Sequence, residues 1–498
     1  MGKLKTLASD TVVYGFSTIL SRLIGWLMMP LYVRIVSQPV YGTFSYVYSM
    51  IAILLVVVTL GFETGYFRYA SDDNRDKLLG TLSQATFGFG FFLLLLCIFF
   101  PSACCSLLGF DFGPGSSVYL ILMAIIVLLD SYNAIFFAEL RYLRHSVRYA
   151  VLRLVQVLVN VVLTCLFLFV LKEDTVHFGG YFATVSDVTY MMLANLIGSF
   201  VATVVFAKRI AQVVGRIDFT LLKSVLLYSL PLVGMGFFGT ANTNIEKILI
   251  KLLDPSENPL ASLGIYAACY KIGVLMSIFT QSFRMAFEPF FFKEHKEKEK
   301  TEIYGTALKW FVYFGLIIFA GVMLFMPLIR LVLQPSYYEG IAIIPWILIG
   351  QLFFGVYYSL SLWYKLTDKT YWGIILSILG LGINSVMNFV LIPRYGFMGA
   401  AYSTFVGYLV MMVTSYLLGQ KFYPIDYPVR KLLIVTLMFV GIVMGSYEII
   451  MSLDSALWVL VSVLSFALLL GLLFFSERET LQPALGKIFG RLLGRFKH

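Results

Sequence analysis

Charge is scarce in this sequence. Only 13% of its 498 residues are Asp, Glu, Lys or Arg, about half the share carried by soluble domains, while 60% are hydrophobic and the mean hydropathy is +0.88. A chain so poor in charge cannot clothe a water-soluble globule, and it reads as an integral membrane protein. Histidine is sparser still: His145, His177, His295 and His498 fall in loops or the tail without metal-ligand spacing. The five cysteines, Cys97, Cys104, Cys105, Cys165 and Cys269, lie through or beside apolar segments and have neither disulfide nor metal spacing. There is no P-loop, nucleophile elbow or Gly-rich phosphate cradle. Nor is there a sizeable outer loop to carry the acidic or His residues of a polytopic glycosyltransferase, polymerase or ligase. The expectation is therefore a protein that is not an enzyme and has no cofactor. The net charge of +10 would suit nucleic acid only if it formed a basic stripe. Here the Lys and Arg sit in short loops between apolar runs, so no nucleic-acid partner is expected.

What the chain has instead is apolar stretches of spanning length, about twenty residues each. They run at about 9–35, 40–66, 78–101, 116–140, 147–171 and 187–207, then 222–252, 260–290, 303–328, 341–364, 371–392, 397–420, 431–451 and 455–475. That predicts an all-α polytopic protein of about 14 transmembrane helices. Lys and Arg cluster in every other loop, from Lys3 and Lys5 through Arg141, Arg144 and Arg148 to the basic tail, which by the positive-inside rule puts both termini in the cytoplasm. Gly42 to Tyr48 (GTFSYVY) and Gly264 to Tyr270 (GIYAACY) repeat a Gly, an aromatic two residues on, a small residue and a Tyr at the sixth following position. The two halves then form a parallel repeat about an axis along the membrane normal, with a central cavity between them. The expected divisions are 1–210 for an N-terminal lobe of helices one to six and 211–425 for a C-terminal lobe of helices seven to twelve. Two extra helices follow over 426–476, and 477–498 is a basic amphipathic tail lying on anionic membrane lipids.

Polar groups inside these spans cost about 3 kcal/mol each when ionised and facing lipid, so they mark the interior. The stretch from Leu221 to Leu253 reads as one helix interrupted by Pro231 and carrying Asn242, Asn244, Glu246 and Lys247 along a pathway. Alternatively Lys247 snorkels to the outer surface and Glu246 makes a local ion pair. Arg22, Lys271, Arg153 and Lys247 are the cations that suit a phosphate or other anionic head group in a partly dehydrated cavity. The alternative for Arg22 is a pair with Asp130. Asn384 and Asn388 share a helix face and, with Thr404 and Glu246, supply hard oxygen ligands for a small cation, or else helix-to-helix hydrogen bonds.

The segments Ser21 to Gly25 (SRLIG), the YSLP-to-NIEK span and Ile392 to Thr404 (IPRYGFMGAAYST) resemble the polysaccharide transporter, or Wzx-type O-antigen flippase, branch of the multidrug/oligosaccharidyl-lipid/polysaccharide exporter superfamily. That resemblance implies two six-helix lobes around a central cavity plus two C-terminal helices. It also implies an alternating-access flippase that carries an undecaprenyl-diphosphate-linked oligosaccharide from the cytoplasmic to the outer leaflet of a bacterial inner membrane. Polysaccharide polymerase and glycosyltransferases are the further partners it implies. In the sister branch of lipid II flippases, a first-helix Ser-Arg-x-x-Gly matches Ser21, Arg22 and Gly25, and its arginine faces the cavity and is implicated in diphosphate binding. A second arginine of that branch is Met28 here, which argues against lipid II. The sodium site of that branch matches Glu246, Asn384 and Thr404, with Asn388 where a carboxylate is found there. Coupling to Na+, coupling to H+ through Glu246, and a purely structural site stay open. The rival functions are an organic-cation antiporter of the same superfamily and a non-transporting scaffold of a glycan assembly complex.

Overall fold

The computed structural model describes residues 2–113, 115–169, 187–215, 217–294, 301–367, 369, 371–453, 456–478 and 482, and among them the ordered elements are helices throughout. The first half contains α1 (Gly2–Ile35), α2 (Gln38–Thr59), the short α3 (Phe62–Tyr69), α4 (Arg75–Phe99), the small α5 (Pro101–Leu108), α6 (Ser116–Tyr142), α7 (Ser146–Phe169) and α8 (Asp187–Val213). The second begins with α9 (Phe219–Asn242), α10 (Ile245–Leu253), α11 (Pro259–Glu294), α12 (Thr301–Leu324) and α13 (Met326–Val332). A 3-10 stretch (Pro335–Ile343) leads into α14 (Ile344–Leu360), α15 (Leu362–Leu366), α16 (Tyr371–Tyr395) and α17 (Phe397–Phe422), and α18 (Val429–Ser452) and α19 (Leu457–Ser476) follow. Thirteen helical segments among the described residues are long and apolar enough to cross a membrane. With α1, whose 34 residues extend about 50 Å, they make the expected fourteen. The Gly179–Gly180 stretch, most of the Lys293 to Lys300 run and the tail beyond Gln482 lie outside the described residues.

Two expected helices are broken differently from the pattern of apolar residues. The span 40–66 is divided by Leu60 and Gly61, both left-handed with φ of 52° and 64°, into α2 and α3. The span built around Pro231 is not interrupted there, because α9 runs through the proline and stops at Asn242. A proline removes one backbone hydrogen bond and kinks the helix. The true stop is chemical: Thr243 Oγ1 and Asn244 Nδ2 both donate to the Thr240 carbonyl at 3.0 Å, competing for the oxygen that continued helix would use. At its other end α9 is started by Asp218, whose Oδ1 accepts the N–H groups of Thr220 and Leu221 at 2.9 and 3.0 Å.

The spans differ in how far protein covers them. Over an 18-residue apolar window of α6, 72% of residues are buried, against 11% for α9 and 17% each for α18 and α19. In the first half α6 packs on α4 and α8, and α7 joins α8 to α1; in the second, α17 packs on α14 and α16, with α10 between α11 and α16. The halves meet through α1 and α2 against α11 and through α2 and α3 against α9, while α18 lies outside on α12. The repeated motifs are the point of closest approach. A Cβ on Gly42 would sit 1.9 Å from the Leu260 carbonyl oxygen, and one on Gly264 would sit 2.1 Å from that of Gln38. Each glycine thus meets the residue four before the other, as a two-fold axis along the membrane normal requires.

Candidate functional site

Arg22 sits near the middle of α1 with its side chain exposed to a cavity of about 410 Å³. The other walls come from α6, α7 and α8, which bring Asp130, Tyr149, Arg153, Gln156, Asn160 and Asn195 to the same space. Arg22 does not pair with Asp130. Ser199 Oγ donates to Asp130 Oδ1 at 2.5 Å and Gln156 Nε2 approaches it at 3.4 Å, whereas Arg22 has no hydrogen bond or ion pair among the described residues. Arg153 lies over the Phe137 ring, 4.0 Å from its centroid, and donates to Gln156 at 3.3 Å. Asn195 Nδ2 donates to the Tyr48 hydroxyl at 2.5 Å, linking α8 to α2. The cavity therefore offers two guanidinium groups, amides and a carboxylate already occupied by neutral donors.

Arg22 and Arg153 come together in this way, but Lys271 and Lys247 are not in the wall of that cavity. They stand in the second half, within electrostatic range of one another. Lys247 Nζ is 5.2 Å from the Tyr270 ring centroid and donates to Asn244 Oδ1 at 3.1 Å. Arg284, inside the expected span 260–290, lies within α11 and is exposed, in electrostatic range of Arg22 and with Tyr358 close by. The sequence signal for it is the run Ala286 to Phe292, which keeps α11 helical to Glu294 and so places Arg284 inside the helix rather than past its end. Two like charges across a cavity repel in the absence of an anion.

A second constellation lies where α10, α16 and α17 meet. Glu246 is fully buried and neither carboxylate oxygen has a hydrogen-bond partner among the described residues; Asn388 Oδ1 and the Tyr408 hydroxyl are unpartnered too. Asn388 Nδ2 donates to Asn384 Oδ1 at 2.9 Å, and Asn384 Nδ2 donates to the Asn242 carbonyl at 3.2 Å. Thr404 Oγ1 donates to the Ala400 carbonyl at 3.0 Å. Buried oxygens without donors are uncommon and costly. An ionised, unpaired carboxylate here would cost several kcal/mol. Lys247 is in electrostatic range of Glu246, and the oxygen donors gathered here suit either a proton on Glu246 or a small hard cation.

At the end of the molecule that holds the Gly42–Gly264 contact, the halves are also tied by polar bonds. Arg34 Nη2 donates to the Leu331 carbonyl at 2.5 Å, Gln38 Nε2 donates to the Ser336 carbonyl, and Gln334 Nε2 approaches the Arg34 carbonyl at 3.4 Å. Lys251 on α10 donates to the Gly109 carbonyl at 2.5 Å, with its ammonium 4.8 Å from the Phe112 ring centroid. Lys251 falls within the expected span 222–252, where no role is assigned to it. Its spacing of four from Lys247 puts both on one face of α10. At this end the two halves are in direct contact.

Three comparisons bear on the chain. The family model described as "Polysaccharide biosynthesis protein" matches residues 7–295, more than half of the sequence. The capsular polysaccharide biosynthesis protein CapF of Staphylococcus aureus is 24% identical over 208 residues, 40% of this chain; the match spans 51% of CapF, about half its length. Among solved structures, the lipid II flippase MurJ in an inward closed conformation superposes with a TM-score of 0.72 at 16% identity, covering 93% of this chain and 99% of that one. An inward-facing multidrug resistance MATE family transporter of the MOP superfamily gives 0.58 at 12% identity, covering 80% and 97%. These superpositions show a common all-helical, two-lobed fold, in agreement with the architecture expected from the motifs. By its match over more than half its length, the chain belongs to the polysaccharide biosynthesis protein family.

Proposed function

We propose that the protein is a flippase which moves an undecaprenyl-diphosphate-linked oligosaccharide from the cytoplasmic to the outer leaflet of a bacterial inner membrane by alternating access, without covalent chemistry. The observation that carries this reading is Arg22, exposed in a polar cavity within the membrane-spanning part, unpaired among the described residues and facing the like charge of Arg284. An anion between two such cations relieves their repulsion, and a diphosphate carries two anionic groups. Arg22 and Arg284 hold the diphosphate, while Arg153, Gln156, Asn160 and Asn195 meet sugar hydroxyls. Lys271 and Lys247, on the second half, receive the anion as the lobes rock. The lobes are residues 1–210 and 211–425, with 426–476 and a tail over 477–498 outside them. Both termini face the cytoplasm, so the tied end of the pathway is the outer one.

Glu246, Asn384, Asn388 and Thr404 form the site that takes the coupling Na+ or H+. The multidrug reading is disfavoured because the cavity presents Arg22 and Arg153, with Arg284 in electrostatic range of Arg22, against a single lining carboxylate, Asp130, that is already hydrogen-bonded. The test is translocation of a fluorescent undecaprenyl-diphosphate oligosaccharide across proteoliposomes. Transport in the wild type that falls at least about tenfold in Arg22→Ala supports the reading, since each charge-assisted contact contributes about 1.5–3 kcal/mol. Efflux of an organic cation without movement of the glycolipid would transfer the assignment to the antiporter, and movement of neither, with folded protein and a matched glycan, to a scaffold of the glycan assembly complex.

A further inference from the structure

We infer that the N-terminal half of α18 carries a binding site for an anionic glycerophospholipid, separate from the central cavity. Two clefts flank this half-helix. One, of about 660 Å³, is walled by α17, α18 and α19 and has Met438, Phe439, Leu472 and Leu473 along it. The other, of about 340 Å³, lies against α12, α14 and α17 and is apolar throughout. Both reach Tyr416, Tyr427 and Val429. Two apolar clefts that meet at one end have the form of a two-chained lipid. A polyprenyl substrate has one chain.

The end at which they meet is positive. Arg430 and Lys431 line it, and Arg430 is exposed with no partner among the described residues. Lys431 and Lys309 share the single buried carboxylate of Glu477, at 2.5 and 2.6 Å, so one positive charge is left over beside that of Arg430. The free N–H groups at the start of α18 add to the same field. A phosphate placed there meets Arg430 and Lys431, with its two acyl chains running down either side of α18. A zwitterionic lipid would bring its own cation to the same place. Because α18 and α19 are otherwise scarcely covered by protein, this lipid fills the gap between them and the bundle.

The experiment uses the purified full chain in mild detergent and follows thermal unfolding while dioleoyl phosphatidylglycerol, dioleoyl phosphatidylcholine, dioleoylglycerol, inorganic phosphate or undecaprenyl phosphate is added. Phosphatidylglycerol raises the melting temperature and the other four do not. Arg430→Gln leaves the lipid-free melting temperature in place and raises the half-maximal phosphatidylglycerol concentration about tenfold. Met438→Trp fills the larger cleft and abolishes the effect with the charges intact. The inference is overturned if phosphatidylcholine stabilises as well as phosphatidylglycerol, or if both variants respond as the wild type does. It is also overturned if undecaprenyl phosphate acts at lower concentration than phosphatidylglycerol, which would make the clefts part of the substrate path.

Discussion

Glu246 and Arg22 are both ionisable residues within the bundle, and their surroundings give them opposite tasks. Arg22 is open to the cavity without a hydrogen bond or ion pair among the described residues, as the proposed binding and release of an anion requires. Glu246 is buried in electrostatic range of Lys247, Tyr266 and Tyr408, with no hydrogen-bond donor to its oxygens among the described residues, a setting that suits a bound proton or cation. Glu246→Gln removes the need for that ion. The expected result is a melting temperature equal to or above that of the wild type, and transport in proteoliposomes that no longer responds to an imposed Na+ or pH gradient. Unchanged gradient dependence in this variant would place the coupling site elsewhere.

At the level of single helices, two junctions decide how the chain is held. The first is the crossing of α2 and α11, where backbone meets backbone at Gly42 and Gly264. Gly42→Ala places a methyl group where a carbonyl oxygen already lies, so the helices must separate; overpacking of this kind costs about 1–3 kcal/mol. A lower melting temperature is expected, together with faster labelling by an impermeant maleimide of a cysteine introduced at Gln38. The second junction is the cluster at Glu477, which ties α12 to α18 and α19. Burial pushes the Glu477 carboxyl up, but hydrogen bonds from Lys309, Lys431 and Tyr313 outweigh it and hold it below its ordinary value of 4.5. Since the folded-state value is depressed, its stabilising contribution is full at neutral pH and is lost as pH falls below about 4.5. Thermal melts from neutral to acid pH should show a steeper fall for the wild type than for Glu477→Gln, which has no carboxyl to protonate there.

Taken as a whole, the molecule is held closed at one end by contacts between its halves. These are the glycine crossing, the bonds of Arg34 and Gln38 to carbonyl groups of the second half, and Lys251 on the Gly109 carbonyl. The proposed transport by alternating access requires all of them to part in each cycle. A cysteine pair at Gln38 and Ser336, oxidised to a disulfide, should therefore stop translocation in proteoliposomes, and reduction should restore it. Continued transport in the oxidised protein would mean that the halves need not separate at this end.

The count of spans, the inner position of Arg22 and the pairing of Asn384 with Asn388 were all legible in the sequence, because the bilayer imposes a local rule. About twenty apolar residues are needed to cross it, and any ionised group within such a run must face the interior. The repeat of Gly42 and Gly264 was legible too, as a pattern, though not as a contact. What the linear order left undecided were matters that depend on residues far apart. Pro231 is the stronger helix breaker by propensity, yet the break came at Thr243 and Asn244, where side chains compete for the Thr240 carbonyl. Arg22 and Lys271 are both mid-helix cations, but only the packing of α1 against α7 and α11 put Arg22 beside Arg153 and Arg284 and left Lys271 with Lys247. Periodicity in the sequence fixes which face of a helix is polar, and tertiary packing alone decides what that face meets.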